Sequence, residues 1–126
     1  MNELLLSRQI LVVDDEPDTL AVLGDMLSLH GANVRRATSG TEALALISEE
    51  PPDLLVLDLA MPDLDGWQVL NHVREDAHLA DLPVVAISAF YSDELAREAL
   101  AAGFTLVLPK PIRSRDLIDS LLSVMS

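Results

Sequence analysis

The chain of 126 residues has no cysteine and a single lysine. The first absence removes disulfides and thiolate metal sites, and makes a reducing, cytoplasmic setting the expected one. Long apolar runs are missing too. None approaches the ~18 residues that a membrane helix needs. The opening MNELLLSRQILVVDDE has no basic region ahead of its broken apolar stretches, so it reads as neither a signal peptide nor a span. Basic charge is scarce: 8 Lys and Arg against 21 Asp and Glu leave a formal net charge of −13. A surface of that sign repels a phosphate backbone, which argues against direct nucleic-acid binding. Solubility alone accounts for most of the carboxylates. Linkers, repeats and low-complexity tracts are also absent. Half of the residues are apolar, so the expectation is one domain over residues 1–126, with the folded part from about 9 to 125.

What is present is an alternation. Five short runs, ILVV (10–13), NVRRA (33–37), LLVL (54–57), VVAIS (84–88) and TLVL (105–108), read as buried parallel strands. Helical patterns lie between them. The first starts near Pro17 and ends at His30-Gly31, with Leu20, Leu23 and Leu27 inward. The second covers about 41–49, turns Ala43, Leu44 and Ile47 inward, and stops at Pro51-Pro52. The third follows Gly66 and carries Val69, Leu70 and Val73; the fourth is capped by Ser92 and runs to Ala102-Gly103. The fifth has the cleanest stripe: Leu117, Ile118, Leu121, Leu122 and Met125. Strand–helix alternation predicts an α/β fold, a parallel sheet with helices on both faces and right-handed crossovers. Ligands of such sheets bind beyond the carboxyl ends of the strands.

The residues at those ends are unusual as a set. Asp14, Asp15 and Glu16 follow the first strand, Asp58 the third, Ser88 closes the fourth, and the fifth runs into Lys110. Taken singly, each has an ordinary reading as a turn residue, a cap or a surface charge. Together they place three carboxylates where like charges repel, so raised pKa values or a counter-ion are expected. An all-oxygen donor set suits a hard cation such as Mg²⁺. A lysine and a hydroxyl beside it suit an incoming phosphoryl group, with an aspartate as acceptor. Lys110 stands between Pro109 and Pro111, which holds it in a rigid turn. As a cation aimed into an acidic pocket, it is expected to matter more for function than for stability. His30, His72 and His78 show no metal-ligand spacing and read as ordinary helix-end or surface residues.

The segments ILVVDDEPD (10–18), DLLVLDLAMPDLDGWQVL (53–70), PVVAISA (83–89) and AGFTLVLPKPI (102–112) resemble the receiver domains of two-component response regulators. The resemblance spans essentially the whole chain. It implies a flavodoxin-like, doubly wound sheet of five parallel strands in the order 2-1-3-4-5 with five helices. It also implies Asp58 as phosphoacceptor, Asp14 and Asp15 as the Mg²⁺-holding pair, the carbonyl of Ala60 as a further metal ligand, Ser88 as the switch hydroxyl, and Lys110 as partner of a phosphoryl oxygen. The peptide bond after Lys110 is expected to be cis. The implied donor is a histidine kinase or a histidine phosphotransfer protein. An output protein is expected on the face made by the fourth helix, fifth strand and fifth helix. The chain ends soon after the fifth helix, which fits a stand-alone protein or a fragment of a longer one. Val107 occupies the position of the family's switch aromatic, so an aromatic rotamer switch is missing there, and Phe104 is too far along to replace it. Phe90, two beyond Ser88, is read either as a ring shielding the pocket or as an outward partner contact.

Rival readings are weaker. An aspartate-nucleophile phosphatase would carry a second Asp where Ala60 stands, and a cap domain besides. A nucleotide-binding module lacks the phosphate-cradling loop. A degenerate receiver serving only as an interaction module does not explain the complete set of acidic residues and lysine.

Overall fold

The computed structural model describes residues 4–125. The elements run β1 (Gln9–Val13), α1 (Pro17–Leu29), β2 (Asn33–Ala37), α2 (Gly40–Glu49), β3 (Leu54–Asp58), α3 (Gly66–Glu75), β4 (Val84–Ser88), α4 (Asp93–Ala102), β5 (Leu106–Pro109) and α5 (Ser114–Met125). All strand pairs are parallel, in the order β2-β1-β3-β4-β5. The chain passes from β1 through α1 to β2 on one side, then returns through α2 to β3 on the other side of β1. The crevice between the carboxyl ends of β1 and β3 is the switch point where such folds accept ligands.

Period-two alternation sorts the strand side chains into two cores. Leu11, Val13, Leu55, Leu57, Val84 and Ala86 face the side packed by α2 and α3. Ile10, Val12, Leu54, Val56, Val85 and Ile87 face Leu20, Leu23 and Leu27 of α1 and Leu117, Ile118 and Leu121 of α5. Because β1, β3 and β4 are covered on both faces, their sequences are nearly continuous apolar runs. The helices start where local chemistry demands it. Ser39 and Ser92 accept the Glu42 and Leu95 N–H groups, and Asp65 forms a reciprocal capping box with Gln68.

Three details differ from the sequence expectation. β2 is not buried along its length, because it is an edge strand whose Asn33 to Arg36 remain at least partly exposed. β5 includes Pro109, which an edge strand tolerates because one side of it needs no ladder bond. A short 3₁₀ turn, Ala77–Leu79, intervenes between α3 and β4. In addition, Leu5 is buried although it precedes β1; its N–H donates to the His30 carbonyl (2.8 Å), so this segment closes the base of the α1–α5 core.

Candidate functional site

β1, β3 and β4 stop in register at one edge of the sheet, and β5 delivers Lys110 just beyond it. Asp14, Asp58 and Ser88 are the buried polar residues there, at 0%, 4% and 4% exposure. Each is held by a backbone N–H two residues along: Glu16 donates to Asp14 Oδ1 (2.9 Å), Ala60 to Asp58 Oδ1 (3.2 Å), and Phe90 to Ser88 Oγ (3.0 Å). No residue type signals these donors in a sequence, because every non-proline residue supplies an N–H.

Lys110 reaches both buried carboxylates. Its Nζ lies 2.9 Å from Asp14 Oδ2 and donates to Asp58 Oδ2 at 3.2 Å. The Asp14 contact is close enough for strong attraction but lies off the hydrogen-bond direction, so Oδ2 of Asp14 is buried without a well-aligned donor. The lysine N–H donates to the Ser88 carbonyl (2.9 Å), and the Lys110-Pro111 peptide is cis, as expected. Burial, reinforced by the charge of Asp14, raises the Asp58 pKa, while Lys110 and the Ala60 N–H pull the other way. For Lys110, burial alone would favour the neutral amine, but the close Asp14 carboxylate and the hydrogen-bonded Asp58 outweigh it and hold its pKa above the ordinary lysine value. The expectation of repelling carboxylates needing a counter-ion is thereby met. The same contacts argue that Lys110 also contributes to stability, since its removal leaves two buried carboxylates without their cation.

Gly66 fixes the backbone of this site from behind. A Cβ there would sit 2.5 Å from the Asp58 carbonyl oxygen and 2.8 Å from Leu59 Cα, and the Gly66 N–H donates to the Leu59 carbonyl at 3.1 Å. The start of α3 thus presses against the end of β3, which only glycine permits.

Asp15 is exposed, yet one oxygen each of Asp14, Asp15 and Asp58 lie within 4.8 Å of one another, a grouping that can hold a metal ion. The oxygen-only donors and the poorly satisfied Asp14 Oδ2 fit a hard divalent cation such as Mg²⁺. Ala60 is exposed beside them. A cleft of about 450 Å³ opens next to Lys110, lined by Glu16, Thr19, Val22, Ala89, Pro111 and Ile112 among others. Phe90 is 79% exposed, so its ring is turned outward and does not cover the pocket. Phe104 is buried, with its ring edge-on to Trp67 at 5.4 Å, and Val107 is buried as well.

Residues 10–122 match the family model of the response regulator receiver domain. The chain belongs to that family. A 14.6 kDa protein of Leptolyngbya boryana is 43% identical over 114 residues, covering 90% of this chain and 87% of that protein. Protein PilH of Pseudomonas aeruginosa is 30% identical over 118 residues, covering 94% and 98%. The fold of this receiver is similar to that of the Vibrio cholerae chemotaxis protein CheY4, with a TM-score of 0.88 at 28% identity, covering 94% of this chain and 98% of that one. Receivers are signalling domains of two-component systems that interact with histidine kinases and bind Mg²⁺ at an acidic pocket, and the pocket here has the matching donors.

Proposed function

We propose that this receiver takes a phosphoryl group onto Asp58 from a phosphohistidine of a partner kinase or phosphotransfer protein. The observation that carries the proposal is the bridge from Lys110 Nζ to both Asp14 and Asp58. It ties a nucleophile, one member of the acidic pair and a cation together from three strands that are distant in sequence.

In the reaction, a carboxylate oxygen of Asp58 attacks phosphorus in line. An O–P bond forms, the N–P bond of the donor breaks, and its electron pair stays on the imidazole nitrogen. Asp14 and Asp15, with Asp58 and the carbonyl of Ala60, would hold Mg²⁺. When bound, the ion supplies positive charge that offsets the charge on the transferring oxygens. Lys110 exchanges its bond to Asp58 for one to a phosphoryl oxygen and keeps Asp14 as its counter-charge. Ser88 accepts the Phe90 N–H, which leaves its own proton for an anion arriving on Asp58. The product alters which proteins bind the face made by α4, β5 and α5.

The test is incubation with acetyl phosphate or phosphoramidate, read by intact mass. The parent should gain one phosphoryl group when Mg²⁺ is present. A stable adduct on an Asp58→Asn variant, or equal labelling in EDTA, would refute the assignment.

A further inference from the structure

The turn from β2 into α2 meets the acidic cluster from two directions without supplying a ligand to it. At its start, the Ala37 carbonyl accepts the Asp14 N–H at 3.2 Å. Three residues later Gly40, the first residue of α2, is buried against the loop that follows Asp58. A Cβ on Gly40 would lie 2.4 Å from the Leu64 carbonyl oxygen, 3.0 Å from Leu64 Cβ and 2.9 Å from Cγ2 of the buried Val69. Side chains do not approach a backbone oxygen that closely, so only glycine fits. The start of a helix also carries partial positive charge, which suits the Leu64 carbonyl that rests on it.

Neither side of this contact gives way cheaply. The turn is tied to α2: Thr38 donates from its N–H (2.7 Å) and Oγ1 (3.1 Å) to Glu42 Oε1, and Ser39 Oγ accepts the Glu42 N–H at 3.1 Å. On the loop side, Leu59 and Met61 are buried, and Asp65 is fixed by its capping box with Gln68. Asp63 already occupies the left-handed region at φ 63°. Ala60, whose carbonyl is the fourth ion ligand proposed above, lies between the end of the loop pressed by Gly66 and the end resting on Gly40.

From this we infer that Gly40 is a positioning residue for the divalent ion: the start of α2 sets the place of residues 59–65 relative to Asp14. The inference rests on the ion site proposed above. Gly40 acts through the loop, while Ala37 of the same turn fixes the backbone of Asp14. A methyl group on Gly40 displaces Leu64, and with it the Ala60 carbonyl, while the carboxylates keep their lysine.

Mn²⁺, a hard divalent ion with the same preference for oxygen ligands, is the probe, and loss of its free-ion EPR signal reports binding. Gly40→Ala should weaken binding by about tenfold, as the loss of an outer support of metal ligands does. Ser39→Ala is the comparison: it removes the α2 cap and lowers the Tm by about 3–5 °C, but leaves Leu64 resting on Gly40. Its Mn²⁺ affinity should match that of the parent. In the phosphoramidate reaction, Gly40→Ala should raise the half-saturating Mg²⁺ concentration and leave the rate at saturating Mg²⁺ near that of the parent. Unchanged Mn²⁺ affinity in Gly40→Ala overturns the inference. An equal loss in Ser39→Ala also overturns it, because the effect then follows the stability of α2. So does a lowered saturated rate with an unchanged Mg²⁺ requirement. If Gly40→Ala does not fold, Leu64→Ala carries the test by removing the side chain that seats the loop against the core: weaker Mn²⁺ binding supports the inference and unchanged binding overturns it. Absence of Mn²⁺ binding by the parent, or equal binding by Asp58→Asn, overturns the ion-site reading instead.

Discussion

Replacing Lys110 by methionine keeps most of the side-chain volume and removes only the ammonium. Asp14 and Asp58 then face each other, both buried, without the cation that stands 2.9 and 3.2 Å from them. Removing one partner of a buried ion pair costs about 3–5 kcal/mol. Here the lysine side chain is still 18% exposed and the cleft beside it is open, so solvent takes part of the load. An expected loss of about 2–3 kcal/mol at pH 7 follows, or roughly 6–12 °C in Tm for a domain of this size.

The pH dependence gives the reasoning its sign. Asp58 has a folded pKa above its ordinary value of 3.8, so between those two values the folded state binds more protons than the unfolded one. Stability contributed by this group therefore falls as pH rises through that window. Loss of the ammonium raises the folded value further. The deficit of Lys110→Met should be largest at neutral pH and shrink as pH falls toward 3.8. The lysine itself stabilises fully below its ordinary pKa of 10.5, and that contribution is lost as pH rises through its higher folded value. Urea unfolding in EDTA, at neutral pH and near pH 5, is the assay. Adding Asp58→Asn should recover part of the loss, with a coupling of about 0.5–3 kcal/mol in the double-mutant cycle. A variant within about 0.5 kcal/mol of the parent at pH 7 would show that the ammonium does not balance the pair.

Other outcomes follow from the same geometry. Gly66→Ala should cost about 2–3 kcal/mol in urea unfolding, because its Cβ meets backbone rather than a flexible side chain, and should slow phosphorylation by displacing Asp58. Ala60→Asn should change the decay rate of the phosphorylated protein by placing a polar group where attacking water is oriented, while Phe90→Ala should leave it unchanged because the ring lies in solvent; timed intact-mass measurements decide both. Asp63 adopts φ 63°, so Asp63→Val should cost about 1–2 kcal/mol in thermal unfolding, and Asp63→Gly less than half of that. Mg²⁺ should raise the Tm of the parent and raise it less for Asp58→Asn, because the cluster then has one charged ligand fewer.

The sequence made the layers legible because β1, β3 and β4 are covered on both faces and could only be short apolar runs. It made the site legible because the chemistry sits at strand ends, where alternation alone brings Asp14, Asp58, Ser88 and Lys110 to one edge. Exposure was less legible. β2 reads NVRRA, and only its edge position explains why Arg35 and Arg36 are tolerated. Leu5 gave no signal, since a single leucine in a polar-broken run has no period to read. The outward position of Phe90 depends on a loop whose course no periodicity records. Arg74 carries no signal in the sequence beyond that of a basic residue in the last turn of a helix. Its five hydrogen bonds to backbone carbonyls appear only once α3, α4 and the connector into β4 are placed together.

These positions bear on how a charge at Asp58 is felt elsewhere. Val107 is already buried and carries no ring, so β5 has no side chain to turn inward in response. α5 is held by Leu117, Ile118 and Leu121, and moving it would open the core beneath. α3 is locked to the site by Gly66. Within α4, Ala99 is fully buried while Leu95 and Ala96 are partly buried against the core. On the phosphoacceptor reading, the response starts from the Ser88–Phe90 bond rather than from an aromatic rotamer.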